Sequence, residues 1–314
     1  MYINTIGHYL PSRVVPNSYF EPINGLTHDW IESRTGIKER RRAGEEENSH
    51  TMAIAAVESC LDRVPYPIEE LDLIVGAGYS PYDTVATIAH VVQHRLNLED
   101  VQALYISSAC SSLLNAIEVV EGYFAMGKAE KALVVVSEHN TLYANESDPV
   151  AGHLWGDGAA CLYFSKERVQ DSDLEVIDLK TAGAATMGKG IEGVVLRPRD
   201  GGIQMPHGRD VFIHACQYMT QVSRDMVQKH GYTIGDLKFF IPHQANRRIS
   251  VNVAGQLELP EEKLVSNIEH LGNTGSAGCA IGLAQKQTEL EKGDLVVLTV
   301  FGGGYSYGAM LVKA

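Results

Sequence analysis

Three short stretches of the sequence place a thiol, an imidazole and an amide in turns beside apolar segments. Cys110 lies in SSACSSLL, His243 in FFIPHQANRRI and Asn273 in HLGNTGSAGCAIGL. We expect all three turns to follow buried strands, where the ligand sites of α/β proteins collect. A thiol can attack an acyl carbon, and the other two groups can donate hydrogen bonds to oxygen. Each residue alone is more often structural, but together they predict a centre for covalent acyl chemistry.

Cys110 stands where an apolar strand, residues 104–106, turns through small residues into an amphipathic helix. The N-terminal end of a helix carries partial positive charge, which favours a thiolate. The first N–H groups of the helix are also free to bind a developing negative charge. We therefore predict that Cys110 ionises readily.

The C-terminal stretch VLTVFGGGYSYGAML sets three glycines between two apolar strands. One interpretation is a hairpin with a bulge. The other is a close approach of the backbone to a ligand, with one N–H directed at an oxyanion.

Composition limits the class of protein. The chain has 314 residues, 45% hydrophobic and 21% charged, which suits a large globular core of two fused units. A net charge of −13 argues against nucleic acid and anionic membranes as partners. No apolar run approaches the roughly 20 residues of a membrane span, and no signal peptide is visible. Five scattered cysteines argue against a disulfide framework or a zinc site and suit the cytoplasm.

Basic residues form three local groups despite the acidic total: 38–42, 197–209 and 247–248. They are either solvated surface arginines and lysines or a basic rim around a tunnel for a phosphorylated carrier.

The second half of the sequence repeats the first at an offset of 166 residues. Segment 66–75 (YPIEELDLIV) aligns with 232–241 (YTIGDLKFFI), and Cys110 aligns with Ser276. A predicted helix at 49–63 falls on another at 215–229. Buried strands alternate with helices in both copies, so we predict a duplicated α/β unit, with halves 1–165 and 166–314 sharing one core.

At these residues the sequence resembles the β-ketoacyl-acyl-carrier-protein synthase III family of the thiolase superfamily. The motifs that carry the resemblance are DWIESRTGIKER, WGDGAA, IPHQAN, HLGNTGSA and FGGGYSYGA, and they span nearly the whole chain. The resemblance implies a five-layered αβαβα fold of two related halves, and a homodimer. It also implies an acyltransferase that joins two acyl thioesters by a Claisen condensation and needs no metal or redox cofactor.

The resemblance assigns roles to single positions. Cys110 would carry the acyl group, with His243 and Asn273 as its catalytic partners and the N–H groups of Cys110 and Gly303 as the oxyanion hole. The donors would be acyl-coenzyme A or an acyl carrier protein. By the same resemblance, the adenine and phosphate end of coenzyme A would contact Trp30, Arg34 and Thr35, and the pantetheine would contact Phe212, Ala245 and Asn246. Arg248 would contact an acidic carrier protein. The rest of the substrate site would include Val85, Leu113 and Phe301.

The sequence departs from the family pattern at three places. Ser111-Ser112-Leu113 replaces Ala-Gly-Phe after the nucleophile, and Val85 stands where a bulky acyl-pocket residue is common. No arginine lies between Lys131 and Lys166, although the family takes a coenzyme A ligand from that region. These departures predict a divergent member with a longer or bulkier primer. An alternative is a synthase of secondary metabolism that forms dialkylresorcinols or cyclohexanediones.

Other classes fit less well. A cysteine hydrolase could use the same three residue types, and a plant-type polyketide synthase is a closer alternative. A degradative thiolase normally has a second reactive cysteine near its C-terminus, where this chain offers only Cys279. A non-catalytic carrier-binding subunit would not need the three reactive residues. GAGYSP at 76–81 lacks the full glycine spacing of a dinucleotide-binding loop.

Overall fold

The computed structural model describes residues 1–314. The strands are β1 (Tyr2–Tyr9), β2 (Arg13–Pro16), β3 (Glu39–Arg42), β4 (Leu73–Ala77), β5 (Gln102–Ile106), β6 (Lys131–His139), β7 (Asp157–Ser165), β8 (Leu174–Gly183), β9 (Val195–Arg197), β10 (Gly202–Gln204), β11 (Leu237–Pro242), β12 (Leu295–Gly302) and β13 (Ser306–Lys313).

The helices are α1 (Glu21–Asn24), α2 (His28–Thr35), α3 (Ser49–Glu58), α4 (Ile88–Arg95), α5 (Ser112–Ala125), α6 (Asn140–Tyr143), α7 (Gly190–Gly193), α8 (Gly208–Lys229), α9 (Arg247–Gln256), α10 (Ile268–Leu271) and α11 (Gly278–Lys286). None of them combines the length and the apolar character that a membrane-spanning helix requires.

The sheet topology repeats between the two halves of the chain. The first half has the strand order β1-β7-β6-β4-β5, and the second half has β8-β13-β12-β11. In each half two antiparallel neighbours lead to a parallel pair, β6 with β4 and β12 with β11. Two residue pairs between β1 and β8, Tyr2 with Glu175 and Ile3 with Leu174, join the halves into one nine-stranded sheet. The predicted boundary at 165/166 lies in the connection between β7 and β8.

Helices separate and flank the two half-sheets, which confirms the predicted five-layered αβαβα fold. Helices α5 and α11 form the middle layer, since each packs on strands of both halves. Helices α3 and α4 cover the outer face of the first half-sheet, and α8 and α9 cover that of the second. Alternate strand residues supply the two faces: Val134 of β6 enters the middle core, and its neighbour Leu133 enters the outer one.

Local sequence explains where the main helices begin. The Asn48 side chain accepts hydrogen bonds from the N–H groups of His50 and Thr51 in a capping box that begins α3. Helix α5 buries an apolar stripe made of Leu113, Leu114, Ile117, Val120 and Phe124. The predicted helix 49–63 ends at Glu58 and continues as a 3-10 turn, Leu61–Arg63.

One prediction about the strands is wrong. Asn273 does not follow a strand, because the short helix α10 precedes its turn. The second half-sheet has only a single bridge, Phe240 to Leu264, in the place corresponding to β5. The reactive turn of Cys110 therefore follows a strand, β5, whereas the corresponding turn of Asn273 in the second half follows a helix, α10.

Candidate active site

The turn that carries Cys110 is held in a left-handed conformation. Ala109 has φ 50°, a value that residues other than glycine rarely adopt. The N–H of Ser111 donates to the Ser108 carbonyl at 3.2 Å, and the Ser112 hydroxyl accepts from the Ser108 N–H at 2.8 Å. Helix α5 starts at once at Ser112. The sharp turn fixes the position of the Cys110 side chain relative to the helix axis.

Cys110, His243 and Asn273 meet in one narrow cavity of about 30 Å³ between the two halves. His243 follows β11, and its N–H donates to the Thr299 carbonyl of β12 at 2.8 Å. All three side chains are at least 92% removed from solvent, with exposures of 8%, 4% and 1%. The remaining wall is mostly apolar and consists of Trp155, Val194, Met205, Val211, Ala215, Met219, Ala245, Ile249, Phe301, Gly302 and Gly303.

Cys110 does not have the lowered pKa that the helix end predicts. Burial, followed by the negative charge of Glu138, raises the pKa of the Cys110 thiol to about 12. Loss of water from around the sulfur therefore outweighs the hydrogen bonds from Tyr79 and the backbone, which favour the thiolate. The resting nucleophile is a neutral thiol, and its proton must leave as the attack on carbon proceeds.

His243 is also uncharged. Burial lowers the pKa of its imidazole to about 4, so at neutral pH it carries one N–H donor and one acceptor nitrogen. Its Nδ1 has no hydrogen-bond partner in the protein. A neutral imidazole can polarise a carbonyl without placing a full charge in the apolar cavity.

The amide of Asn273 is oriented by its own turn. Its Oδ1 accepts the N–H of Gly275 at 2.9 Å, so the NH₂ group is left to donate to a ligand. The Asn273 main chain joins the other half of the protein, because its N–H donates to the Leu154 carbonyl at 2.8 Å and its carbonyl accepts from Gly156 at 3.0 Å.

The glycine turn after β12 lies directly against the nucleophile. A Cβ atom on Gly302 would stand 2.8 Å from the Cys110 nitrogen, so only glycine fits there. Gly303 follows in the wall of the same cavity. Tyr305 fastens the turn to α8, because its hydroxyl donates to Asp210 at 2.7 Å and its ring packs 4.9 Å from that of Phe301.

The serines after Cys110 connect the nucleophile turn to the glycine turn. The hydroxyls of Ser111 and Ser306 lie 2.8 Å apart, and that of Ser306 also donates to the Ser108 carbonyl at 3.1 Å. The Ser111 hydroxyl reaches Asn115 Oδ1 at 2.8 Å. The departure at Ser111 thus has a structural reason, since it pairs with Ser306.

A buried carboxylate that the sequence reasoning missed lies behind the cavity. Glu138 accepts the Ser80 hydroxyl at 2.5 Å, the N–H groups of Tyr79 and Ser80, and both the hydroxyl and the N–H of Ser276. Burial raises its pKa to about 7, above a usual value of 4.5. The available signal was an acidic residue near the end of the apolar strand KALVVVSEH.

The structure separates the predicted substrate residues into three groups. Ala245 and Phe301 line the cavity with Cys110. Leu113 packs in the middle core instead, because α5 turns it away from the cavity. Val85 is 84% exposed in the loop before α4, and the Thr35 hydroxyl is used inside α2, where it donates to the Ile31 carbonyl. None of these last three reaches the cavity within one chain.

Two of the other predicted substrate residues line an outer groove of about 700 Å³, and the remaining three belong to α2 and the turn before α9. Phe212 and Arg248 line the groove, and the Asn246 amide, which precedes α9, donates to the Arg34 carbonyl at 3.2 Å. The Arg34 guanidinium stacks 4.4 Å from the centre of the Trp30 ring. Arg248 is exposed and forms no ion pair within the protein, so it is available to an anionic ligand.

The basic group at 38–42 is largely internal. Arg40 is fully buried and donates to the carbonyls of Val15 and His153 and to Asn17 Oδ1. Arg42 is 5% exposed and pairs with Glu146. The predicted basic rim therefore cannot include these two arginines.

Comparison with known proteins gives a consistent result over the full chain. The model of 3-oxoacyl-[acyl-carrier-protein] synthase III matches residues 104–183, and that of its C-terminal part matches residues 227–314. β-Ketoacyl-[acyl-carrier-protein] synthase III of Aquifex aeolicus is 34% identical over 309 residues, covering 98% of this chain and 97% of the relative. The same enzyme of Clostridium perfringens is 32% identical and covers 98% and 97%.

Solved structures agree with the sequence relatives. The crystal structure of 3-oxoacyl-[acyl-carrier-protein] synthase III from Aquifex aeolicus superposes with a TM-score of 0.92 at 33% identity, covering 100% of this chain and 99% of that one. The priming β-ketosynthase of a polyketide biosynthetic pathway gives 0.89 at 26% identity, with 99% and 95% covered.

We expect Glu138 to make stability depend on pH. Its pKa is higher in the folded chain, so the stabilisation is complete below about pH 4.5 and is lost as the pH rises through 7. Glutamine resembles the protonated carboxyl. The free energy of unfolding of the wild type, relative to Glu138→Gln, should fall by up to about 3 kcal/mol between pH 5 and pH 8 in urea titrations. Glu262→Gln, at an exposed position, is the control, and a flat difference for Glu138→Gln would contradict the assignment.

We expect Ser111 and Ser306 to be energetically coupled. Replacing either serine by alanine removes the same hydrogen bond, so the double variant should lose less stability than the two single variants together, by about 0.5–1.5 kcal/mol. A double-mutant cycle in urea measures this term. The control cycle pairs Ser111→Ala with Ser33→Ala, an exposed serine of α2, and should be additive. Additivity of the 111/306 pair would mean that the link contributes nothing.

Proposed function

This chain belongs to the 3-oxoacyl-[acyl-carrier-protein] synthase III family, and we propose that the cavity at Cys110 is where it joins two acyl groups. The protein is a condensing acyltransferase of fatty-acid or polyketide biosynthesis. The observation that carries the assignment of residues is the convergence of Cys110, His243 and Asn273 from separate turns of the two halves in one apolar cavity.

In the first step Cys110 takes the acyl group from a thioester donor. The sulfur attacks the acyl carbon and forms a new C–S bond, while the carbonyl oxygen becomes an oxyanion. In this scheme the N–H groups of Cys110 and Gly303 donate to that oxygen and stabilise its charge. The donor C–S bond then breaks, and the leaving sulfur receives the thiol proton. Because Cys110 starts as a neutral thiol, no net charge is added to the cavity.

In the second step a malonyl or β-ketoacyl thioester replaces the first donor. The NH₂ group of Asn273 and the N–H of neutral His243 donate to its thioester carbonyl and stabilise the enolate. A malonyl group forms this enolate by losing carbon dioxide. The carbanion attacks the acyl carbon on Cys110, a C–C bond forms, and the electron pair of the C–S bond returns to sulfur. With a malonyl extender the sulfur regains its proton from solvent, and with a β-ketoacyl extender the proton that the α carbon loses balances the one that restores the thiol. The scheme transfers no electrons to a redox partner and has no role for a metal.

The acyl chain is proposed to extend along the apolar wall formed by α8 and the segment before α8. Val211, Ala215 and Met219 line the cavity from the helix, and Val194 and Met205 line it from the segment before the helix. Large flexible methionine side chains at this wall suit a primer longer than acetyl, because they can move without leaving a polar void. Formation of dialkylresorcinol-type products is the second candidate, in which the extender is a β-ketoacyl thioester.

The outer groove is proposed as the binding site of the group that carries the thioester, either coenzyme A or an acyl carrier protein. Arg248 is exposed there, whereas its neighbour Arg247 is held by Glu269 at 2.5 Å and Glu261 at 2.9 Å. The Trp30 ring with Arg34 offers a surface for a flat base or a phosphate. An acidic carrier protein is favoured over coenzyme A, since the segment between Lys131 and Lys166 supplies no arginine.

We further propose a cytoplasmic homodimer. Strand β5 lies at the edge of the sheet, with only β4 beside it, and Ala103–Ile106 are half-buried in the single chain. An apolar edge strand of this kind is normally paired or covered, and a second copy would extend the sheet. The five cysteines form no disulfide, which fits a reducing compartment.

Intact-protein mass spectrometry tests the proposal. The protein is exposed to a panel of acyl-coenzyme A and acyl-carrier thioesters, and we expect one acyl mass on the wild type and on Cys216→Ala, but none on Cys110→Ala. Asn273→Ala and His243→Ala should still be acylated but should condense at least about 100-fold more slowly, because each lacks one enolate donor. Acylation of Cys110→Ala at the wild-type rate would contradict the proposal. Steady release of free acid by the wild type would favour a thioester hydrolase.

A further inference from the structure

The Tyr79 hydroxyl is hydrogen-bonded to the sulfur of Cys110, and in the resting protein the thiol is the donor. Tyr79 follows β4, on the loop that begins with Gly78, and its hydroxyl oxygen lies 3.9 Å from Cys110 Sγ. This is the only side-chain hydrogen bond that Cys110 forms within the protein. Because Tyr79 contacts the reacting sulfur atom, it can change the charge stability of the nucleophile directly.

Three separate features hold the tyrosine in this position. Its N–H donates to Glu138 at 3.2 Å, and the next residue, Ser80, is bound to the same carboxylate through both its N–H and its hydroxyl. On the other side Gly275 leaves space for the ring, since a Cβ atom there would stand 2.6 Å from the Tyr79 hydroxyl oxygen. The loop of one half and the Asn273 turn of the other thus enclose the phenol.

The phenol stays protonated in these surroundings. Burial, together with the nearby charges of an ionised Cys110 and of Glu138, raises the pKa of Tyr79 well above its usual value. The hydroxyl can therefore donate a hydrogen bond to a negatively charged sulfur but cannot act as a base. The donors of His243 and Asn273 are assigned to the thioester carbonyl, and neither side chain is hydrogen-bonded to the sulfur.

We propose that Tyr79 is a further catalytic residue, which donates a hydrogen bond to the Cys110 sulfur whenever that atom carries negative charge. The inference rests on the proposed acyl transfer. Charge develops on the sulfur as its proton departs during acylation. It develops again in the condensation, when the C–S bond breaks and its electron pair returns to Cys110. The Tyr79 proton remains on oxygen throughout, so the phenol lowers both barriers without changing its own protonation state.

Alkylation of Cys110 by iodoacetamide, followed by mass spectrometry from pH 6 to pH 11, tests this role without any acyl substrate. Tyr79→Phe keeps the ring but lacks the donor, so we expect alkylation to be about 10-fold slower at each pH in this range, which lies below the pKa of the Cys110 thiol. Tyr105→Phe is the matched control, because this half-buried tyrosine also packs on Gly78 but does not contact the sulfur. It should leave the profile unchanged.

The same variants are then assayed for condensation. Tyr79→Phe should lower kcat by about 10- to 100-fold with little change in KM, since the phenol donates its own proton only to a charged sulfur, whereas in the resting protein the thiol is the donor. Replacement of Tyr79 by 3-fluorotyrosine, a stronger donor with the same ring, should move the alkylation profile in the opposite direction. A wild-type profile for Tyr79→Phe, or an equal shift in Tyr105→Phe, would overturn the role of Tyr79. Failure of the wild type to acylate at Cys110 would overturn the proposed function instead.

Discussion

Exclusion of water from the junction between the two halves is the constraint on which the site depends. It holds Cys110 as a thiol with a pKa near 12 and His243 as a neutral imidazole with a pKa near 4. Two groups that would otherwise be partly charged near neutral pH are thereby both uncharged at rest. Negative charge then develops only during the reaction, and it meets fixed donors that need no reorganisation.

The junction is closed by hydrogen bonds that cross between the halves. Glu138 of the first half binds Ser276, the residue that the duplication places opposite Cys110. The Asn273 main chain pairs with the segment around Trp155, and Ser111 with Ser306. In the first half the duplicated turn carries the nucleophile, Cys110. In the second half the corresponding turn carries Ser276, which binds the buried carboxylate of Glu138. The duplicated architecture thus explains why the reacting groups come from both halves.

Much of the fold could be predicted from the sequence, because strand and helix periodicity and the 166-residue repeat are local or regular signals. The turns of Cys110 and His243 were predicted to follow strands for the same reason, whereas the turn of Asn273 follows a helix. The sequence predicted a lowered pKa for Cys110, but its pKa is raised. Burial of the sulfur depends on residues from many distant segments, which the sequence around Cys110 does not reveal. The wall from α8, the burial of Arg40 and the role of Glu138 arise from contacts between segments far apart in sequence.

A titration of the His243 imidazole by ¹⁵N NMR tests most directly whether the centre is dry and uncharged. The protein is labelled at histidine, and the signal is assigned by its loss in His243→Gln. The account predicts that His243 stays neutral as the pH falls from 8 to about 5 and gains a proton only near pH 4. Protonation near the ordinary histidine value of 6.5 would contradict it, because that result requires a hydrated cavity that can accommodate a cation.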